Sequence, residues 1–385
     1  MKSNLLPLLR KNRVALVLQG GGALGAYQAG VYQALQENDL APDWVVGTSI
    51  GAINAAIIAG NLPHDRVARL KQFWSGIAHH DCLDLNQVAD SARRYNSWLA
   101  TMDATLRGVP GFFAPRTGSV AGLMFGAGLA VEPEQASFYD TAGLRSTLLE
   151  LIDFDLLNQR GGVRLSVNAV KVTSGELTSF DSVSHAIGVD HIMASGALPP
   201  GFPAVRIDGE LYWDGGLYSN TPLETVLDDQ PAVDTLCFMV DLWRAQGNEP
   251  TTLDEVQTRQ KDVMFASRSK RHIDDFVRVR KQQRMLRALY QRLPEKLKTS
   301  ADAALLQEMG CNTTLHIVSL PYAGQDWHMS SKDINFSSGS LMWRWDQGYA
   351  DAQRAIVQAA WLAEVDEDVG VVVHDLAAQE QSGKK

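Results

Sequence analysis

Apolar residues in this chain gather into short continuous runs, and the runs stop at glycine. Val14-Ala15-Leu16-Val17-Leu18 leads into Gly20-Gly21-Gly22, the pattern of a strand buried on both faces that feeds a tight turn. Residues 23–36 then have helical character and end before Pro42. Trp44-Val45-Val46 predicts a second buried strand, closed by Gly47-Thr48-Ser49-Ile50-Gly51. A helix over 52–59 follows, terminated by Gly60 with Pro63 beyond. Strands that are apolar at successive positions need cover on both faces, so this βαβα opening predicts an α/β fold whose parallel sheet lies between two layers of helix.

Farther along, residues 64–150 read as mostly helical, except for 108–131, which is rich in Gly, Pro and Phe and carries no charge over 120–131. That stretch, with Phe112, Phe113, Leu123, Met124 and Phe125, suits either a loop covering an apolar site or a segment packed under helices. Residues 163–172 alternate and turn at Ser174-Gly175 into 177–180, a hairpin at a sheet edge. A helix is expected over 184–194, then a second hairpin over 205–213 around Asp208-Gly209, which delivers Asp214-Gly215-Gly216. Strands at 235–240 and 315–320, a long basic helix between them, a closing helix over 338–362 and a polar tail complete the reading; no internal repeat is visible.

The 385 residues, 45% hydrophobic and 21% charged, suffice for one large catalytic domain, or for one plus an appendage. A net charge of −9 argues against a nucleic-acid binder. The charge is uneven: 259–298 holds 13 Lys/Arg against 4 Asp/Glu, so the rest of the chain carries −18. This basic segment either pairs with the acidic remainder or meets an anionic membrane surface. Cys82, Cys237 and Cys311 are far apart and read as buried small hydrophobes in a reducing compartment. No apolar h-region follows the basic N-terminus, which points to a cytoplasmic protein. Two uncharged stretches, 14–36 and 44–64, approach the roughly 20 apolar residues of a membrane span, yet their glycines suit strand–turn–helix units better.

Three sites carry chemistry. Gly20-Gly21-Gly22-Ala23-Leu24-Gly25 satisfies GxGxxG between a strand and a helix, but no acidic residue ends the next strand to hold a ribose. Its exposed N–H groups at a helix N-terminus suit an oxyanion as well as a phosphate. Gly47-Thr48-Ser49-Ile50-Gly51 is a GxSxG turn that would lift a serine hydroxyl above the sheet; the alternative is Ser49 as a helix cap. Asp214-Gly215-Gly216 is either a plain turn or the place of a base. A serine needs such a base, and the late histidines His272, His316, His328 and His374 offer a rival to Asp214.

These residues, with Ala194-Ser195-Gly196-Ala197-Leu198-Pro199 between the second and third sites, resemble the patatin-like phospholipases over about 12–224. The resemblance implies a three-layer α/β/α patatin-like sandwich with a mainly parallel central sheet. It also implies a Ser49–Asp214 dyad that cleaves phospholipids or related acyl lipids through an acyl-enzyme, without metal or other cofactor. By position, Gly20, Gly21, Gly22, Ala23 and Gly25 would form the oxyanion hole, and Gly47, Gly51, Gly215 and Gly216 would shape the turns. Leu24 departs from the family, where Arg or Lys is frequent. Residues 225–385 would form a mostly helical C-terminal extension with two late strands. The expected partners are a lipid substrate and, through 259–298, the inner face of an anionic membrane, with no nucleic acid. A Ser–His–Asp esterase and a non-catalytic lipid- or nucleotide-binding protein on the same scaffold are the alternatives.

Overall fold

The structure, a computed structural model, describes residues 12–79, 90–116, 130–266, 269–322, 324, 330–366 and 369–375. Cys82, His328, and Leu123, Met124 and Phe125 of the apolar loop lie outside them. The chain opens with β1 (Arg13–Leu18), a single 3-10 turn at Gly22–Gly25, α1 (Ala26–Glu37), β2 (Trp44–Gly47) and α2 (Ile50–Ala59). There follow α3 (Arg66–Gly76), α4 (Asp90–Arg107), the short strands β3 (Ala114–Pro115) and β4 (Tyr139–Asp140), α5 (Ala142–Leu151) and α6 (Phe154–Leu157). The middle of the chain gives β5 (Arg164–Lys171), β6 (Leu177–Asp181), α7 (Val189–Ser195), β7 (Val205–Ile207), β8 (Glu210–Asp214), α8 (Leu223–Leu227) and β9 (Thr235–Asp241). The remainder holds α9 (Leu253–Phe265), α10 (Ser269–Arg292), α11 (Ala301–Met309), β10 (Leu315–Pro321), α12 (Ser338–Gln358) and β11 (Val371–Asp375).

Nine strands form one sheet in the order β11-β10-β9-β1-β2-β5-β8-β7, with β6 also on β5. From β11 to β5 every neighbour is parallel, and the antiparallel pairs are confined to β6, β7 and β8. Alternation along the buried strands divides the core. Leu16, Leu18, Val45, Phe238 and Val240 face α1, α2 and α12, whereas Ala15, Val17, Trp44, Val46, Cys237 and Met239 face α8 and Ile273 of α10. Helices therefore cover both faces, as the continuous apolar runs require. No helix among the described residues is long and apolar enough to cross a membrane.

Several elements differ from expectation. The helix expected over 184–194 begins only at Val189, because Ser184 and His185 turn back onto the Asp181 carbonyl. The basic segment is two helices, α9 and α10. The closing helix stops at Gln358, where Ala359 takes a left-handed conformation (φ 43°). β11 falls where a polar tail was expected; it is an edge strand on which Val371 is buried and Val373 is exposed.

Two glycines let α1 and α12 touch along their backbones. A Cβ on Gly30 would lie 1.9 Å from the Trp345 carbonyl oxygen, and one on Gly348 would lie 2.0 Å from that of Tyr27. Tyr27, buried beneath, donates its hydroxyl to Asp351 at 2.8 Å. Alanine at 348 would gain about 1 kcal/mol of helix propensity, but separating two packed backbones costs about 1–3 kcal/mol. Gly348→Ala should therefore lower the melting temperature. Gly76→Ala, where an added Cβ meets nothing within 4 Å, should leave it unchanged or raise it; calorimetry on the two variants checks the contrast.

Candidate active site

Two strands bring the candidate residues together. β2 runs parallel to β5 and ends with Gly47 opposite Val167, while β8 runs antiparallel and ends with Asp214 opposite Ala169. Val167 and Ala169 also pair with β6, so β2 and β8 share the other edge of β5. Their C-terminal ends thus meet head-on, two residues of β5 apart, or about 7 Å. Ser49 follows one end and Asp214 closes the other.

At Ser49 the backbone has φ 57° and ψ −124°, a left-handed conformation that is costly for a residue with a side chain. Crowding forces the flanking glycines: a Cβ on Gly47 would lie 2.4 Å from Gly51, and one on Gly51 would lie 2.2 Å from the Leu18 carbonyl oxygen. The Ser49 amide donates to the carbonyl and the hydroxyl oxygen of Ser195, each at 3.1 Å. Ser195 in turn donates its hydroxyl to the Asn168 carbonyl at 2.7 Å. Two residues on, the Ala197 carbonyl accepts from the Asp214 amide at 3.0 Å. The 194–199 segment thereby ties the serine turn to the end of β8.

Asp214 is 2% exposed, lines the same cavity as Ser49 and accepts a hydrogen bond from the Gly216 amide at 2.7 Å. Burial pushes its carboxyl from the usual range up to about 7, against the Ser49 hydroxyl and the Gly216 amide, which act the other way. Gly215 has no room for a side chain, since its Cβ would lie 2.4 Å from the Asn168 carbonyl oxygen.

The glycine loop lies beside this pair. Gly20, Gly21 and Gly22 line the same cavity as Ser49 and Asp214, whereas Ala23 and Gly25 do not. The Gly20 amide is taken by the Asn220 carbonyl (3.1 Å) and the Ala23 amide by the Asp333 carbonyl (2.8 Å). Gly25 packs against Ile50 and Trp74. The amides of Gly21 and Gly22 have no hydrogen-bond partner among the described residues. Leu24 is fully buried.

The cavity holds about 340 Å³ and is mainly apolar, with rings from Phe112, Phe113, Tyr139, Phe202 and Phe336 meeting edge to face or tilted. No histidine among the described residues lines it. His272 lies 3.8 Å from Glu224, and His316 stacks on His374 at the far end of the sheet. No group of three His, Cys, Asp or Glu side chains able to hold a metal occurs among the described residues. Cys237 is buried, which pushes its thiol up to about 12.

Sequence reasoning missed the outer ring of this site. Asn220 and Trp243 both donate to the Gly20 carbonyl, at 3.1 and 2.8 Å. Asp333, Ile334 and Phe336 reach the cavity from more than 300 residues downstream of the glycine loop. Asn220 follows Asp214-Gly215-Gly216 closely enough to have been a candidate. No local pattern marks Trp243 or Asp333.

The sequence model of the patatin-like phospholipase family matches residues 16–227, and one described as patatin phospholipase matches 263–368. Patatin-like phospholipase domain-containing protein 7 of Mus musculus is 41% identical over 76 residues, 20% of this chain and 6% of its own length. Protein 6 of the same series in Homo sapiens is 40% identical over 73 residues, covering 19% and 5%. A patatin-like phospholipase domain-containing protein of Pyricularia oryzae is 51% identical over 47 residues, covering 12% and 6%. These stretches span less than a tenth of the relatives' own lengths. Among solved structures, VipD from Legionella pneumophila has a TM-score of 0.40 at 15% identity, covering 90% of this chain and 67% of that one. The heterodimeric ExoU–SpcU complex of Pseudomonas aeruginosa gives a TM-score of 0.26 at 17% identity, covering 93% and 65%. The first family match takes in more than half of the chain and contains the glycine loop, Ser49, the Ser195 segment and Asp214; the chain belongs to the patatin-like phospholipase family.

Proposed function

We propose that this protein is a serine lipid-acyl hydrolase that cleaves ester bonds of phospholipids or related acyl lipids. The observation that carries the reading is a serine held in a strained turn and a buried carboxylate of raised pKa lining one apolar cavity. Asp214 takes the Ser49 proton as the serine oxygen bonds to the ester carbonyl carbon, and the carbonyl electron pair moves onto oxygen. Collapse expels the alcohol, which receives the proton from Asp214. A water then gives a proton to the same carboxylate and bonds to the acyl carbon. The bond from that carbon to Ser49 breaks, the acid leaves, and Ser49 takes the proton back from Asp214. Of the loop residues, Gly21 and Gly22 are the natural oxyanion donors, because their amides line the cavity and are uncommitted; a single donor of this kind is worth on the order of 3–4 kcal/mol.

Contact with a membrane surface is also favoured by the distribution of charge. Lys270, Arg271, Lys281 and Arg292 of α10, and Lys296 just beyond it, form no ion pair among the described residues, and Met285 and Leu289 are 60% and 52% exposed on the same helix. A surface combining free cations with exposed apolar side chains suits anionic lipid. Co-sedimentation should be stronger with phosphatidylserine-containing vesicles than with phosphatidylcholine alone and should weaken with salt; equal binding to both would remove this part of the reading.

A fluorophosphonate probe should label the wild type but not Ser49→Ala, and Asp214→Asn should lose at least about a thousandfold in kcat. Equal labelling of Ser49→Ala, or an unlabelled wild type, would sink the hydrolase reading. Mass spectrometry of products from a lipid panel then identifies the bond cleaved.

The raised carboxyl gives a pH signature with a definite sign. Only ionised Asp214 can accept the serine proton, so kcat/KM should rise with pH through about 7. Stability runs the other way. The folded state holds a proton that the unfolded state has released above the ordinary value of 3.8, so the contribution of Asp214 is favourable in acid and is lost between there and about 7. A shift of that size corresponds to roughly 4 kcal/mol. Asp214→Asn should therefore melt higher than the wild type at pH 8 and lose its advantage toward pH 5.

A further inference from the structure

The glycine loop is held from outside the 16–227 family match by two segments distant in sequence. The Phe265 carbonyl, at the end of α9, accepts from Asn220 (2.9 Å) and Gln19 (3.1 Å), and Asn220 also donates to the Gly20 carbonyl. Opposite, the Asp333 carbonyl accepts from the Ala23 amide, and a Cβ on Gly22 would lie 2.3 Å from that oxygen. The loop is therefore gripped at both ends, with Gly21 and Gly22 between.

The two gripping segments are joined by a reciprocal pair of ion pairs. Each carries a Lys-Asp dipeptide, and the dipeptides pair crosswise. Lys261 meets both carboxylate oxygens of Asp333 at 2.7 and 3.0 Å, and Lys332 meets Asp262 at 2.6 Å. Side-chain exposure is 30% and 20% in the first pair and 13% and 16% in the second, so water screens them less than it does a surface pair. Lys332 also stands 4.9 Å over the ring of Trp243, whose Nε1 donates to the Gly20 carbonyl.

We propose that Lys261, Asp262, Lys332 and Asp333 form a charge clasp whose side chains position the glycine loop, so that the region beyond 227 sets the placement of the Gly21 and Gly22 amides. The clasp carries no net charge, and Lys261, Asp262 and Lys332 do not line the cavity. Its effect is on geometry: a backbone donor stabilises an oxyanion only within a narrow range of positions, and a displacement of about 1 Å is costly. This inference rests on the oxyanion role given to those amides above.

The test is a charge-swap series on the full chain with a soluble chromogenic ester. Lys261→Met and Asp262→Asn should each lower kcat by about tenfold or more while KM changes little. The exchange Lys261→Asp with Asp333→Lys should recover most of the loss. Melting temperatures exclude unfolding as the cause. Wild-type kcat in the single variants would overturn the clasp, as would a loss with KM rising in parallel or one that the exchange leaves unrepaired. Fluorophosphonate labelling of wild type but not Ser49→Ala, run alongside, separates the two ideas: if it fails, the hydrolase reading falls, and if it holds while kcat ignores the clasp, only the clasp falls.

Discussion

The end-to-end meeting of β2 and β8 along one edge of β5 is the constraint on which the rest of the site depends. A parallel strand and an antiparallel strand cannot both continue past the same point of a shared neighbour, so each must leave the sheet there. β2 leaves through a turn so tight that Gly47 and Gly51 have no room for a side chain, and β8 leaves through Gly215, which has none either. The price of that geometry is the left-handed backbone at Ser49, and the 194–199 segment holds it by bonding both exits at once.

Burial then decides the chemistry. In the proposed dyad the proton acceptor beside Ser49 is a carboxylate, and an ordinary carboxylate is too weak a base near neutral pH. Apolar surroundings raise the Asp214 carboxyl by disfavouring its charge, and the Ser49 hydroxyl and the Gly216 amide hold back only part of that rise. The same desolvation that suits Asp214 to the proposed role of base makes its ionised form unfavourable to the fold. A net charge from Arg or Lys in the adjacent glycine loop would pull the carboxyl back down, and at that position the chain has buried Leu24.

How much of this was legible in the sequence follows from the range of each interaction. Buried parallel strands, the Ser49 turn and the Asp208-Gly209 hairpin are set by neighbours within a few residues, and each is recognisable as a pattern of apolar runs and glycines. The loop's division of labour was not legible. Five residues looked equivalent as amide donors, and only the packing of Asn220 and Asp333 occupies Gly20 and Ala23 and leaves Gly21 and Gly22 uncommitted. β11 was missed for a related reason: as an edge strand with only one neighbour it needs few apolar positions, so Val371-Val372-Val373 was not enough to mark it within a polar tail.

Long range also governs the standing of the region after residue 225. β9 pairs with β1 over six residues and β10 extends the sheet beyond it, so these strands share the core that positions the glycine loop. The stretch 228–262 lies between the two family matches, yet it supplies Trp243 to the Gly20 carbonyl and Lys261 and Asp262 to the ion pairs with 332–333. A loop that must present two free amides needs its other polar groups occupied, because an unpaired buried group would compete for any other arrangement. The partners that occupy them come from 220, 243 and 333, one before the end of the first match, one between the two and one within the second. The glycine loop thus takes its partners from both family matches and from the stretch between them, although Ser49 and Asp214 themselves lie within the first match.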